Sequence, residues 1–109
     1  MDIEFSSPDL QKLCEQQKAM TKQLGDNCSR KLRTRLADLR AAANMAELSS
    51  GHPHPLKGDR IGEFALDLHG GVRLVFEPAN HPIPVREDES IRWESVTKVR
   101  IVFIGDYHG

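Results

Sequence analysis

The chain has 109 residues and a mass of 12.3 kDa, which is room for one compact domain, 1–109, around one hydrophobic core. Its 39% hydrophobic and 28% charged content suits a globular protein, and its longest apolar run, 101–104, is far too short to cross a bilayer. The formal net charge of −1 argues against a generic polycation that coats nucleic acid. The opening Met1-Asp2-Ile3-Glu4 has neither the basic region nor the apolar stretch of a signal peptide, so the expected location is cytoplasmic.

In chain order, Ile3 and Phe5 alternate with polar residues and predict a short first strand. Ser6-Ser7-Pro8-Asp9 then reads as a helix start, and Leu10, Leu13, Cys14, Met20 and Leu24 recur at helical spacing up to a stop at Gly25. Asp26-Asn27 can cap a second helix with the apolar stripe Cys28, Leu32, Leu36, Leu39 and Ala43. The two helices form an antiparallel hairpin, and residues 49–55, rich in Ser, Gly, His and Pro, break it into a loop. Cys14 and Cys28 fall on the apolar stripes, where a thiol acts as a small hydrophobe, and are read as buried and free.

From Gly62 the period changes to two. Phe64, Leu66 and Leu68 form one apolar set, and Val72, Leu74 and Phe76 another, on either side of a glycine pair. A two-residue turn at Gly70-Gly71 would put Leu68 opposite Arg73 and mix the faces; a three-residue loop, His69-Gly70-Gly71, pairs Leu68 with Val72 and Asp67 with Arg73. Residues 78–95, with three prolines and the only tryptophan, read as a long excursion between strands in which Trp93 is an anchor. A last strand, 96–104, carries Val99, Ile101 and Phe103 on one face and Val102 and Ile104 on the other, which places it centrally. The expected fold class is α+β: an N-terminal helical hairpin on an antiparallel sheet of about four strands.

Charge is segregated along this plan. Between residues 18 and 40 seven basic residues face two acidic ones, a local balance of +5, whereas 77–94 has a balance of −3. A chain arranged so can present a basic face to RNA at near-zero overall charge, and Arg30, Lys31, Arg33 and Arg35, with Arg60 further on, are the residues assigned to it.

Three short segments carry the chemistry. His54-Pro55-Leu56-Lys57-Gly58-Asp59-Arg60 precedes the hairpin, Arg73-Leu74 lies on its second strand, and Asp106-Tyr107-His108 follows the last strand. In this order the chain resembles the HigB-type killer toxins of the RelE/ParE superfamily. The likeness runs over nearly the whole chain and departs from the pattern mainly at 78–95. It implies a RelE/ParE-like fold of the microbial ribonuclease kind. It also implies a type II toxin that cleaves translated messenger RNA on the ribosome, and a co-encoded helix-turn-helix antitoxin that binds both the toxin and operator DNA.

The residues support such chemistry independently. Cleavage of RNA by its own 2′-hydroxyl needs a base, cations around a phosphorane-like transition state, and an acid for the departing 5′-oxygen. His54 and His108 are of the residue type that exchanges protons near neutrality. Lys57 and Arg73 supply fixed charge, Tyr107 can stack on a base, and Asp106 completes the terminal segment. No cofactor is called for. His52-Pro53-His54 has the form of a metal pair, but no further ligand stands at a recognisable spacing, so no metal is assigned. Two other readings fit the same fold: a ParE-like inhibitor of DNA gyrase, which has no need of an acid–base constellation, and a catalytically decayed binding module.

Overall fold

The computed structural model describes residues 1–106; Tyr107 and His108 lie outside the described residues. Strand β1, Asp2–Phe5, leads into helix α1, Pro8–Glu15, whose first turn is capped by Ser7: the hydroxyl accepts from the Leu10 amide at 3.2 Å, and Pro8 opens the helix where its missing N–H is not needed. The single helix expected from residue 8 to residue 24 is two. Gln16 leaves helical geometry at φ −110° and ψ 107°, and α2, Gln17–Leu24, starts afresh. No breaker residue marks this point. The reason is tertiary, because α1 lies against β1 and β5 whereas α2 lies against α3, and one straight rod cannot do both.

Gly25, at φ +83°, makes the corner between α2 and α3, Asp26–Ala41, a backbone conformation that favours a residue without Cβ. Helix α3 buries Cys28, Leu32, Leu36 and Leu39 as the periodicity requires, but it ends at Ala41, so Ala43 is exposed beyond it. Ser29 is the one buried polar residue among those described, and its hydroxyl meets that of Thr21 at 3.3 Å.

The sheet has five strands in the order β1-β5-β4-β3-β2, where β2 is His54–Pro55, β3 Phe64–Asp67, β4 Arg73–Pro78 and β5 Lys98–Gly105. It is mixed rather than wholly antiparallel, because β1 runs parallel to β5. The fifth strand is the two-residue β2, which forms within the segment expected to be loop and pairs His54 with Ala65. The hairpin register is the expected one, with Phe64 opposite Phe76, Leu66 opposite Leu74 and Asp67 opposite Arg73; the Leu68 amide donates to the Val72 carbonyl at 2.9 Å and closes the three-residue loop.

Leu66, Leu74, Phe76, Val99 and Ile101 pack the helix side of the sheet against Leu13, Met20, Leu32, Leu36 and Leu39. β5 is interior as expected, but its faces are not. The register with β4 slips between Val75 and Phe76: Val75 pairs with Phe103 and Phe76 with Ile101, so Val102 is an extra, bulged residue. Beyond it the alternation inverts. Phe103 joins Val75, Ala65, Leu56 and Val102 on the side away from the helices, while Ile104 turns to the main core.

The 78–95 excursion is tied down at both ends. The Asn80 carboxamide accepts from the Thr97 and Lys98 amides and donates to the Thr97 hydroxyl, and Arg86 holds both oxygens of Glu94 at 2.8 and 2.9 Å. The Arg86 guanidinium also helps to hold the Glu94 carboxyl below its ordinary range, behind a larger contribution from hydrogen bonding to backbone. Ile91 and Trp93 pack on the main core, and the Trp93 ring lies 4.8 Å from that of Phe64. No helix among the described residues is long and apolar enough to cross a membrane.

Two measurements check this packing. Trp93→Ala is expected to lower unfolding stability by about 2 kcal/mol, less than the 3–5 of a fully buried aromatic because Trp93 is half-buried, which urea titration reads directly. Both cysteines are free and buried, and burial pushes the Cys14 thiol up to about 11. A thiol reagent at neutral pH is therefore expected to label the folded protein far more slowly than the unfolded one, which should give two equivalents.

Candidate functional site

The face of the sheet turned away from the helices divides in two. At the β1 end its charges neutralise one another: Glu4 binds Lys98 at 2.9 Å and Arg100 at 3.1 Å, and Arg100 reaches Glu77 at 2.8 Å. The Lys98 hydrogen bond is the chief reason the Glu4 carboxyl is held below its ordinary range. Nothing there is left poised for a ligand.

The other end is built differently. Its apolar floor is Ala65, Val75 and Leu56, with Val102 and Phe103 packed beside them. The cross-strand row His54, Ala65, Val75, Phe103 spans four strands, and the next row on the same face is Asp67, Arg73, Gly105. The expected Asp67 and Arg73 pair is present. Arg73 Nε lies 2.8 Å from Asp67 Oδ1, an ion pair by distance although the N–H is not aligned on that oxygen. Arg73 Nη1 donates to the Gly70 and Val72 carbonyls, each at 3.2 Å. The side chain is only 20% exposed and held at three points, and its Nη2 makes no hydrogen bond with any described residue. This is a fixed cation with donors to spare.

His54 is positioned by β2 and by its own ring. Its Nδ1 lies 2.7 Å from the His52 carbonyl oxygen, which can only accept, so Nδ1 carries the proton and the neutral ring keeps its lone pair on Nε2. The His52 and His54 rings stack at 4.7 Å, and His52 Nδ1 lies 3.6 Å from Asp67 Oδ2. The two histidines, Asp67 and Arg73 thus form one contiguous group. His52 is a member that sequence reasoning left out; the available signal was its place in His52-Pro53-His54, whose third neighbour comes from β3.

The remaining assigned residues are placed as follows. Lys57 is exposed just before the turn Gly58–Arg60. Arg60 lies over the Phe103 ring at 4.5 Å and binds Glu63 at 2.7 Å, so its guanidinium is fixed on the same face by a cation–π contact and an ion pair. The Phe103 ring in turn lies over Gly105, where a Cβ would come within 2.8 Å of it. The Asp106 carboxylate lies against Gly71 in the hairpin loop, where a Cβ would collide with it. That loop carries the Gly70 and Val72 carbonyls that hold Arg73, so Asp106 lies against the same loop.

Arg30, Lys31 and Arg33 are exposed on α3. Arg35 is not equivalent to them: its side chain is 12% exposed, binds Asp38 at 2.6 Å, and packs on Gly51, where a Cβ would meet it at 2.9 Å. The Gly51 carbonyl accepts from the Asp67 amide, so Arg35 braces the loop that holds the histidines. Arg30, Lys31, Arg35 and His69 line a cleft of about 310 Å³ between α3 and the hairpin loop. A basic surface therefore continues from α3 to the loop that holds Arg73.

No family model matches the chain, and no curated protein does. Among solved structures the fold is similar to the YoeB/ParE toxin from Agrobacterium tumefaciens, with a TM-score of 0.59 and 15% identity over 98% of this chain and 99% of that one. It is also similar to the YoeB-YefM complex from Staphylococcus aureus, at 0.56 and 16% over 96% and 94% of the two chains. The YoeB dimer from Staphylococcus aureus matches at 0.55 and 17% over 100% and 98%. The chain has the fold of YoeB/ParE toxins, as the α+β reading expected.

The ion pair at the centre of the site is open to a double-mutant cycle. Asp67→Ala, Arg73→Ala and the double variant, compared by urea unfolding, are expected to give a coupling of about 1 kcal/mol, the upper range of exposed pairs, because both side chains are mostly covered. A coupling of zero would mean that the pair does not orient Arg73.

Proposed function

We propose that this protein is the toxin of a type II toxin–antitoxin pair, of the HigB type within the RelE/ParE superfamily, and that it cleaves messenger RNA on the ribosome. The observation that carries the reading is the convergence on one sheet face of a fixed guanidinium at Arg73 and an imidazole at His54, whose Nη2 and Nε2 have no hydrogen-bond partner among the described residues. RNA cleavage by its own 2′-hydroxyl uses those two groups. His54 accepts the 2′-hydroxyl proton, the 2′-oxygen bonds to phosphorus, and Arg73 and Lys57 hold the charge that builds on the phosphoryl oxygens. The bond from phosphorus to the 5′-oxygen breaks, and that oxygen takes a proton. The products are a 2′,3′-cyclic phosphate and a 5′-hydroxyl.

In this reading His108 is the acid for that last transfer, Tyr107 donates a hydrogen bond or stacks on a base, and Asp106 belongs to the same terminal segment. The exposed Arg30, Lys31 and Arg33 are the docking charges for ribosomal RNA, continuous with the site through the α3 cleft. The partner that holds such a toxin inactive is a co-encoded antitoxin, in this reading a helix-turn-helix protein that also binds operator DNA. The fold likeness to the toxin in a YoeB-YefM complex supports a protein partner.

Arg73→Ala and His108→Ala are each expected to abolish growth arrest and to lower cleavage of a translated message, read by primer extension, by about 10²- to 10³-fold, the usual loss for one transition-state donor. His54→Ala, which removes the base, is expected to cost about as much, and Lys57→Ala less. Thermal melts are part of the test, because Arg73 also holds the hairpin loop. If folded Arg73→Ala and His108→Ala cleave like the parent, the site is wrong; filamentation with DNA damage then supports a gyrase inhibitor, and unaffected growth supports a decayed binding module.

Arg30→Glu, Lys31→Glu and Arg33→Glu together are expected to weaken ribosome co-sedimentation and flatten its salt dependence, with little change in stability. Arg35 is kept, since its loss would unseat Gly51. Unchanged sedimentation across a salt series would show that the α3 charges are only solvated.

A further inference from the structure

We propose that His52, His54 and Asp67 form a binding site for a transition-metal ion of the zinc class, and that its occupancy silences His54. One ligand atom from each of the three residues lies within 4.8 Å of the others. A tetrahedral ion with bonds of about 2.05 Å needs its ligands roughly 3.4 Å apart, so closure asks for shifts of about an ångström. The side chain of His52, at 75% exposed, is free to make them. Three protein ligands leave a fourth position for water.

Three features shape the cluster for an ion. The chain turns through two successive residues in the left-handed region, Gly51 at φ +84° and His52 at φ +50°, and this folds the His52 ring back onto that of His54. Such a backbone is uncommon for histidine and is the source of the juxtaposition. The His54 Nδ1 faces the His52 carbonyl at 2.7 Å, the kind of second hydrogen bond by which metal-binding histidines are usually oriented, and a ring held so would offer Nε2 to an ion. Asp67 is shared, with Oδ1 2.8 Å from Arg73 and Oδ2 3.6 Å from His52.

The same neighbours set the selectivity. Calcium and magnesium take six or more oxygen ligands, and one carboxylate beside a guanidinium is a poor offer. Arg73 opposes any cation at this point, so only an ion that imidazole holds strongly will stay, which selects zinc, copper or nickel. The consequence for RNA cleavage rests on the function proposed above. Nε2 is the lone pair that would take the 2′-hydroxyl proton, and a metal bound there occupies it.

The test uses the full chain and zinc chloride alone, titrated by calorimetry, with His52→Asn as the variant. Asparagine accepts the left-handed backbone at this position, so the fold should persist. The parent is expected to bind one equivalent, and the variant to bind at least about 10- to 100-fold more weakly, a range that even the loss of an outer partner produces. In the cleavage assay zinc should suppress the parent, and it should leave His52→Asn at that variant's own zinc-free rate. Equal zinc affinity in parent and variant, or no binding by the parent, overturns the site. Binding lost in the variant together with cleavage indifferent to zinc overturns the silencing. Binding that behaves as expected in a protein that cleaves no RNA keeps the site and discards the nuclease reading instead.

Discussion

The extra residue at Val102 determines what each face of the sheet can be. Before it, Val99 and Ile101 face the helices; after it, Phe103 faces the other way and Ile104 returns to the core. A strand with strict alternation would have buried Phe103 beneath α1 and left the outer face of β5 without an aromatic. With the bulge, Phe103 lies beside Val75, carries Arg60 on its ring and covers Gly105. The apolar floor of the candidate site follows from one unpaired position.

On that floor, what matters is which charges are satisfied. At the β1 end Glu4, Arg100 and Glu77 complete one another. At the β2 end Arg73 is immobilised by Asp67 and two loop carbonyls, His54 is fixed through Nδ1, and neither Arg73 Nη2 nor His54 Nε2 has a partner among the described residues. Holding a group through one atom and leaving another atom unsatisfied is preorganisation: the ordering cost is met in folding rather than on binding. Arg35 extends this inward, bracing Gly51, whose carbonyl fixes the Asp67 backbone.

Much of this was legible in the sequence, for identifiable reasons. The hairpin register could be read because Leu66, Leu74, Phe64 and Phe76 must share a face, and that choice alone places Asp67 opposite Arg73. The break at Gln16 could not, since Glu15-Gln16-Gln17-Lys18 carries no helix breaker and the cause is packing on two different partners. The bulge was hidden because 99–104 is apolar on both faces and offers no alternation to slip against. Strand β2 formed from residues whose prolines suggested only loop; as an edge strand it tolerates Pro55. Residue type marked Arg35 and Arg60 as RNA contacts, yet burial against Gly51 and stacking on Phe103 are tertiary facts that type does not carry. Likewise the third ligand of the histidine pair, Asp67, lies 13 residues beyond His54 on another strand, outside any local spacing rule.

In the proposed function this face uses an RNA's own 2′-hydroxyl as the nucleophile. This role is tested most directly on programmed ribosomes, with a message that carries a single 2′-deoxynucleotide on the 5′ side of the bond cut in the all-ribose control, followed by analysis of the fragment ends. The control is expected to yield a 2′,3′-cyclic phosphate and a 5′-hydroxyl, and the deoxy message to stay uncut at that bond. Cleavage of the deoxy message at the control rate would mean that another nucleophile attacks phosphorus, and would contradict the roles given to His54 and Arg73.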